Sequence, residues 1–445
     1  MNLYQRVLST LIATSSFCFA FFWLPYYKLF DFFCNILILA FLLQLLLPSS
    51  KKLRKDPLFR LGLLFFVYLF LTIAWHKFSL PADTPRIAET RKYLRILYFI
   101  PIAYAISYNK MLNPWRFLII AFLGLIAYLI INFDLSEWKR AWNGYRVDFG
   151  IENAQHTGIV FATSLIAFTV FTVRFINWSR KYSLIIFLVS LTVWFSALLL
   201  SFWVVFVSQT RAVWLGLSVS ALIMLLLAGI FYIQKKRSTI KWYKYSTILL
   251  GLIFTTILIE HSFNTQEQIM KRLTSEKVSI ESLHLAASHE KKQMTSFEIR
   301  VASWAAAPEW IMERPFMGWG RRGAKNLIRE SDYFNESFKS RFGHLHNSYL
   351  ETLVDLGFIG TGFIVTIIFL FAHSINRNYK KGKTPSDVFI FSWAFFLFWL
   401  IVNIFESYII FSSGYYLIAI VAAFSYSFGI EKNNEQTKNQ GKHIV

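Results

Sequence analysis

The chain has 445 residues, of which 56% are hydrophobic, 19% aromatic and only 16% charged. Soluble proteins carry about 25% charged residues, so this composition excludes an ordinary soluble enzyme or binding domain. The formal net charge is +21, and several of the basic residues form clusters between long apolar stretches. We therefore predict an all-α polytopic membrane protein.

Apolar segments close to the roughly 20 residues of a membrane-spanning helix recur along the chain. We predict about twelve spans, near residues 7–24, 29–48, 58–75, 94–108, 115–132, 155–173, 183–207, 212–233, 245–260, 350–372, 388–405 and 412–429. With the N-terminus in the cytoplasm, the basic clusters 51–55, 235–237 and 380–383 all fall on the cytoplasmic side, as the positive-inside rule requires. An even number of spans also predicts a cytoplasmic C-terminus.

One outer segment is exceptionally long, residues 261–349 between spans nine and ten. Apolar residues around 299–310 have helical spacing, and Pro308 is expected to bend or restart that helix. Long loops that contain their own helices are usually functional. We therefore expect this large helical loop to contribute to a site on the outer face.

Two arginines on the outer side are candidates for anion binding. Arg211 occupies the polar break between spans seven and eight, where an arginine is costly unless it faces a cavity or binds an anion. Its side chain would otherwise extend to the lipid headgroups. Arg300 is one of many basic residues in the large loop, and its position alone assigns it no role.

Two histidines precede the tenth span. His344 and His346 belong to a residue type that accepts a proton near neutral pH, with an unperturbed pKa of about 6.5. The pair is also compatible with a metal site completed by Glu351 or Asp355, or with a structural role. The residues alone leave these readings open.

Three stretches resemble motifs of the bacterial O-antigen ligases and of the wider O-antigen ligase and polymerase superfamily. "RAVWL" is similar to their Arg-x-x-x-Leu motif, and "HNSYLETLVDLGFIG" to their His-Asn motif followed by two glycines. "RVASWAAAPEWIMERPFMGWG" is similar to an arginine-tryptophan stretch that ends in Pro-hydrophobic-Gly-x-Gly. The motifs begin at Arg211, His346 and Arg300, respectively. They follow the family order on the expected side of the membrane.

The resemblance implies an inverting, metal-independent glycosyltransferase without a cofactor. Such a ligase moves a polysaccharide from undecaprenyl diphosphate to the lipid A core at the periplasmic face of the bacterial inner membrane. By motif match, Arg211 and Arg300 would bind the donor diphosphate, and His346 would be the catalytic base. His344, Asn347 and Arg146 are possible supporting residues, and the motif itself assigns no role to His344.

We accordingly divide the chain into three predicted segments. Residues 1–182 form an N-terminal membrane bundle, residues 183–372 a ligase-like catalytic core with the periplasmic loop 261–349, and residues 373–445 the last two spans with a basic tail. An O-antigen polymerase or a protein O-oligosaccharyltransferase of the same superfamily is the nearest alternative function. A transporter or flippase is a more distant one, because it predicts ionisable residues in mid-span or paired broken spans, of which the sequence has few signs.

Overall fold

The computed structural model describes residues 3–47, 50–79, 87–108, 113–234, 296–320, 322–334 and 336–430. These residues form α-helices, short 3₁₀ segments and turns, with no β-strand among them. The all-α prediction is thereby confirmed for this part of the chain.

Helices occupy most of the described chain. Those before the large loop are α1 (Leu3–Phe22), α2 (Tyr27–Leu45), α3 (Lys51–Arg54), α4 (Pro57–Ser79), α5 (Phe99–Tyr108), α6 (Pro114–Ile131), α7 (Leu135–Trp142), α8 (Ala154–Ser179), α9 (Leu184–Val207) and α10 (Arg211–Gln234). Those in and after the loop are α11 (Ser296–Glu313), α12 (Gly323–Glu330), α13 (Glu336–Arg341), α14 (Ser348–Lys380), α15 (Ser386–Val402) and α16 (Ser412–Ser427).

Within the described residues, six helices are long and apolar enough to cross a membrane, namely α2, α4, α6, α8, α9 and α14. Helices also lie at every other predicted span that falls within the described residues. The ninth span, the first part of the loop and the basic tail (residues 245–260, 261–295 and 431–445) lie outside the described residues, as does the cluster 235–237. The total of twelve spans and the placement of the loop therefore stay predictions.

The fourth predicted span begins differently from the expectation. Its first residues, with Arg95, belong to a 3₁₀ helix (Ile87–Tyr98), and α5 starts only at Phe99. Arg95 forms an ion pair with Asp31 at 3.4 Å. Pro101 falls in the first turn of α5.

The chain divides into two compact units. One comprises residues 1–131, 359–389 and 414–445, and the other comprises residues 132–358 and 390–413. All the candidate functional residues belong to the second unit. The three segments predicted from the sequence stay a prediction about function.

The loop helices share a hydrophobic core with the start of α14. Trp310 of α11, Ile328 of α12 and Phe338 of α13 are buried together with Val354. Helix α11 does not restart at Pro308 but continues to Glu313. The described part of the large loop is thus a packed structure.

Helix α14 is interrupted at Gly357, where φ is 64° and ψ is −171°. The loop "PFMGWG" pairs with the backbone there, because the amide of Trp319 donates to the carbonyl of Val354 and that of Gly320 to Asp355, each at 2.8 Å. The amide of Phe358 in turn donates to the carbonyl of Pro315 at 2.7 Å. The glycine-rich loop therefore supplies partners to a helix whose own hydrogen bonds are broken.

Candidate active site

The two histidines lie immediately before α14. Asn347 caps this helix, since its side-chain oxygen accepts from the amides of Tyr349 (3.0 Å) and Leu350 (3.1 Å). His346 has a left-handed backbone with φ of 49°, a conformation in which histidine is enriched among non-glycine residues. The cap and the turn together fix where the His346 side chain leaves the backbone.

Both imidazoles contact one carboxylate, that of Glu406. The Nε2 atom of His344 lies 2.9 Å from Oε1, and the Nδ1 atom of His346 lies 3.1 Å from Oε2. The two ring centroids are 4.0 Å apart. Only 2% of the Glu406 side chain is exposed, against 20% for His344 and 13% for His346. The three side chains form one buried polar cluster, which we call the His–Glu–His cluster.

Glu406 belongs to the short connection between α15 and α16. The Oε1 atom also accepts from the backbone amide of Ser407 at 2.9 Å. The hydroxyl of Ser348 donates to the backbone carbonyl of Glu406 at 3.0 Å, and the amide of Ser348 to the carbonyl of Asn403 at 2.9 Å. These bonds join the connection to the first turn of α14, so the carboxylate is held in register with the histidines.

A second carboxylate fixes the backbone around the cluster. The Oε2 atom of Glu351 accepts from the amide of Leu345, which lies between the two histidines, at 2.7 Å. The same oxygen accepts from the Ser407 hydroxyl at 3.2 Å. The Leu345 carbonyl accepts from the indole of Trp304 in α11 at 3.0 Å. The His-x-His segment is therefore held on both sides of its backbone.

The environment separates the proton affinities of the three groups. Burial favours neutral His344, but its hydrogen bond to Glu406 and the charge of that carboxylate outweigh burial and raise the pKa of His344. Burial dominates at His346 and lowers its pKa, despite the same carboxylate. Although burial opposes ionisation of Glu406, hydrogen bonds from both histidines hold the pKa of its carboxyl well below its usual range. The favoured state is an ionised Glu406 beside a neutral His346.

The second ring nitrogen of His346 is the distinctive feature of the site. Its Nε2 atom is buried and has no hydrogen-bond partner among the described residues. Because Nδ1 faces the Glu406 carboxylate, the proton of the neutral ring belongs on Nδ1, which leaves a lone pair on Nε2. A buried polar atom without a partner is costly and calls for an explanation, of which a catalytic role is one. The unpartnered Nε2 atom makes His346 the candidate base of the site.

Arg300 lies beside the cluster. Its Nε donates to the backbone carbonyl of Phe405, the residue before Glu406, at 3.0 Å. Its positive charge lowers the pKa of both His344 and His346. Arg300 and the histidines, which are far apart in sequence, thus meet around one connection.

Arg146 and Arg211 belong to a neighbouring group around the turn between α9 and α10. The Nε atom of Arg146 donates to the carbonyl of Ser208 at 3.1 Å. Arg211 is exposed as the first residue of α10, and the hydroxyl of the preceding Thr210 donates to the carbonyl of Ala154 at 3.1 Å. These contacts attach the turn to the N-terminus of α8.

Helix α8 links that group to the His–Glu–His cluster. The Nδ1 atom of its His156 lies 2.5 Å from the Ser413 hydroxyl, and its ring lies 4.8 Å from the ring of Phe411. The Phe411 ring also lies 5.2 Å from the ring of His344. His156 had no place among the sequence predictions, because one histidine at the start of an apolar helix resembles many structural ones.

His344, His346 and Glu406 each offer one ligand atom, and these atoms lie within 4.8 Å of one another. Two imidazoles and a carboxylate are a composition that divalent cations accept. Here both carboxylate oxygens and the ring nitrogens that face them are engaged with each other. The Oε2 atom of Glu351, considered above as a metal ligand, accepts instead from Leu345 and Ser407. In the described structure the candidate ligand atoms are thus hydrogen-bonded to one another or to the neighbouring backbone.

Glu406 is the functional candidate that the sequence reading missed. A lone carboxylate has no spacing signature, and it lies 60 residues after His346. One signal was available, because the predicted topology places the connection between spans eleven and twelve on the same side as the histidines. An acidic residue within that short, largely apolar connection indicates a functional role.

The helices and the buried ionisable cluster together define a multi-pass membrane protein with a polar site built from several helix ends. Residues 196–365 match the model of the family described as O-Antigen ligase. This match supports the membership of the chain in the O-antigen ligase/polymerase family, whose members are glycosyltransferase-like enzymes. The matched segment contains Arg211, Arg300, His344 and His346, but it ends before Glu406.

A curated relative is an uncharacterised protein of Haemophilus influenzae, 29% identical over 195 residues. The alignment covers 42% of this chain and 45% of that protein. The chain therefore spans less than half the length of this relative, which contributes no activity, substrate or partner to the argument for function.

Proposed function

We propose that this protein is an O-antigen ligase of the bacterial inner membrane. It transfers a polysaccharide from undecaprenyl diphosphate to a sugar hydroxyl of the lipid A core, at the periplasmic face. The observation that carries the proposal is the geometry of His346, with Nδ1 facing Glu406 and a buried Nε2 that lacks a described partner. The match to the O-antigen ligase family supports the substrate class.

His346 acts as the general base. A sugar hydroxyl is a weak acid, so a positioned base that takes its proton as the new bond forms contributes about 10²–10⁴-fold to the rate. Glu406 holds the ring so that Nε2 faces the acceptor, and its negative charge stabilises the imidazolium that results. Attack on the face opposite the leaving diphosphate inverts the anomeric centre.

Arg211 and Arg300 bind the donor diphosphate. Negative charge accumulates on the leaving group as the bond to the sugar breaks, and arginine stays protonated while donating two hydrogen bonds to phosphate oxygens. Fixed positive charge at that point stabilises the transition state more than the ground state. In this mechanism the arginines supply the positive charge, so the reaction proceeds without a metal ion.

The test is transfer of polyprenyl-linked O-antigen to purified lipid A core in detergent with EDTA. Wild type is expected to be active and His346→Ala to lose at least about 10²-fold in kcat. His373→Ala, at an exposed histidine of α14, is the matched control and should retain full activity. Transfer that requires an added divalent metal would contradict the mechanism. Extension of the polyprenyl-linked chain, with nothing reaching lipid A core, would identify a polymerase instead.

A further inference from the structure

His344 shares the carboxylate of His346 from the opposite oxygen. Its Nε2 lies 2.9 Å from Oε1 of Glu406, while His346 engages Oε2. His344 is the more exposed of the two histidines, with 20% of its side chain accessible against 13%. One carboxylate therefore connects the proposed base to a second imidazole nearer to solvent.

The cluster has room for one positive imidazole. The two rings are 4.0 Å apart, so simultaneous protonation would place like charges side by side in a buried site that has one carboxylate between them. With His344 protonated, Glu406 ionised and His346 neutral, these three groups carry no net charge. The pKa directions of all three groups agree with that distribution. The other titratable or charged groups that act on the cluster are Glu351, Arg300, His156 and Tyr408.

We propose that His344 is a positioning residue that keeps the net charge of the His–Glu–His cluster constant during transfer. The proposal rests on the function proposed above. His344 carries a proton while His346 is neutral. It releases a proton to water from the ring nitrogen that does not face Glu406 as His346 becomes charged.

The atoms and electrons of the step balance. The acceptor hydroxyl gives its proton to Nε2 of His346, and its oxygen forms the new glycosidic bond. The bond from the anomeric carbon to the diphosphate breaks, and the electron pair leaves with the diphosphate. After product release His346 loses its proton and His344 regains one, so each turnover releases one proton to water.

The experiment compares the pH dependence of kcat/KM of wild type and His344→Gln, in detergent with EDTA. Glutamine retains an N–H that can donate to Glu406, but it cannot carry the charge. Loss of the positive neighbour raises the pKa of His346, so the acid limb of the profile should move to higher pH by about 1 unit. His373→Gln, the same substitution at an exposed position, should leave the limb in place.

Two outcomes overturn the proposal. One is an unchanged limb with full activity, and the other is an activity lowered equally at every pH, as a structural role alone would produce. A different result would contradict the function proposed above, namely a His346→Ala variant that retains transfer. Loss of transfer in His346→Ala with an unshifted His344→Gln profile would reject only the role of His344.

Discussion

The chemistry of the site depends on which nitrogen of His346 faces Glu406. Contact through Nδ1 at 3.1 Å sets the tautomer in which Nε2 has the lone pair. The Nε2 atom itself is buried and has no hydrogen-bond partner among the described residues. A change at Glu406 should therefore alter the base without altering the position of the arginines.

We expect Glu406→Gln to lower kcat by on the order of 10²-fold with little change in KM, because the imidazolium loses its counter-charge. The measurement is steady-state transfer to lipid A core. Glu309→Gln, at an exposed carboxylate of α11, is the matched control and should have wild-type kinetics. A Glu406→Gln enzyme with wild-type kcat would remove Glu406 from the mechanism.

The pH profile of the wild-type enzyme is a second prediction at this scale. The proposed mechanism requires neutral His346, whose pKa is lowered by burial. The acid limb of kcat/KM, which reports the free enzyme, should therefore have its midpoint below about 6.5, the ordinary value for histidine. Activity is full above that midpoint and falls as the pH drops through it. A midpoint at or above the ordinary value would exclude His346 as the group that titrates.

The sequence reaches part of the site and no further. His346, Asn347 and Arg300 stand in recognisable motifs, so the sequence can nominate them as candidates. The pairing of each imidazole with Glu406 was not predicted, because it depends on the tertiary contact between the start of α14 and a connection many residues later. The capping role of Asn347 was within reach, since asparagine before an apolar helix is a common N-cap.

At the scale of elements, the break in α14 explains why glycine stands at position 357 of the His-Asn motif. Gly357 adopts a backbone conformation found essentially in glycine, and a Cβ there would lie 2.5 Å from the backbone of Phe316. Gly318 makes the reciprocal approach, with φ of 66° and a Cβ position 2.6 Å from the Gly357 amide nitrogen. The two glycines allow the loop "PFMGWG" to come within hydrogen-bonding distance of the broken helix.

Gly357→Ala is therefore expected to destabilise the fold. Backbone strain alone costs about 1–3 kcal/mol, and the contact with Phe316 adds to it. Thermal unfolding in detergent should show a clearly lowered Tm. Gly362→Ala is the control in the same helix, because its Cβ would meet nothing within 4 Å and alanine favours a helix. Equal Tm values for the two variants would contradict this account of the break.

Hydrophobic length predicted helix positions well and helix ends less well. The predicted tenth span, residues 350–372, lies inside α14, but α14 continues to Lys380, because hydropathy marks the apolar part of a helix and not its polar end. The break at Gly357 was not predicted, since a glycine within an apolar run also occurs in unbroken helices. The break at Gly357 is defined by its contact with the loop "PFMGWG". That contact is tertiary, so the local sequence does not predict it.

At the scale of the whole molecule, the site needs more of the chain than the matched family segment. Residues 196–365 lack Glu406 and the N-terminus of α8, which belong to the same compact unit as the histidines. The segment 183–372 predicted as catalytic core also ends before Glu406. The connection between α15 and α16, which contains Glu406, therefore completes the proposed site.

Topology provides the prediction at this scale. With Cys18 and Cys34 replaced by alanine, a cysteine introduced at Glu336 should react with an impermeant thiol reagent from the periplasm. A cysteine at Lys381 should react only after the membrane is opened, because the positive-inside rule places residues 380–383 in the cytoplasm. Both positions are exposed. Labelling of both from one side would contradict the predicted arrangement of the tenth span.

The pairing between "PFMGWG" and the interrupted α14 has a consequence for biogenesis. An isolated α14 would enter the bilayer with the carbonyls of Val354 and Asp355 lacking the donors that Trp319 and Gly320 provide. Unpaired backbone is costly in lipid. In the predicted topology the loop is synthesised first and is translocated before this helix leaves the insertion machinery. The loop "PFMGWG" is then present to pair with α14 as this helix enters the bilayer. The site would therefore assemble in the order in which its parts are synthesised.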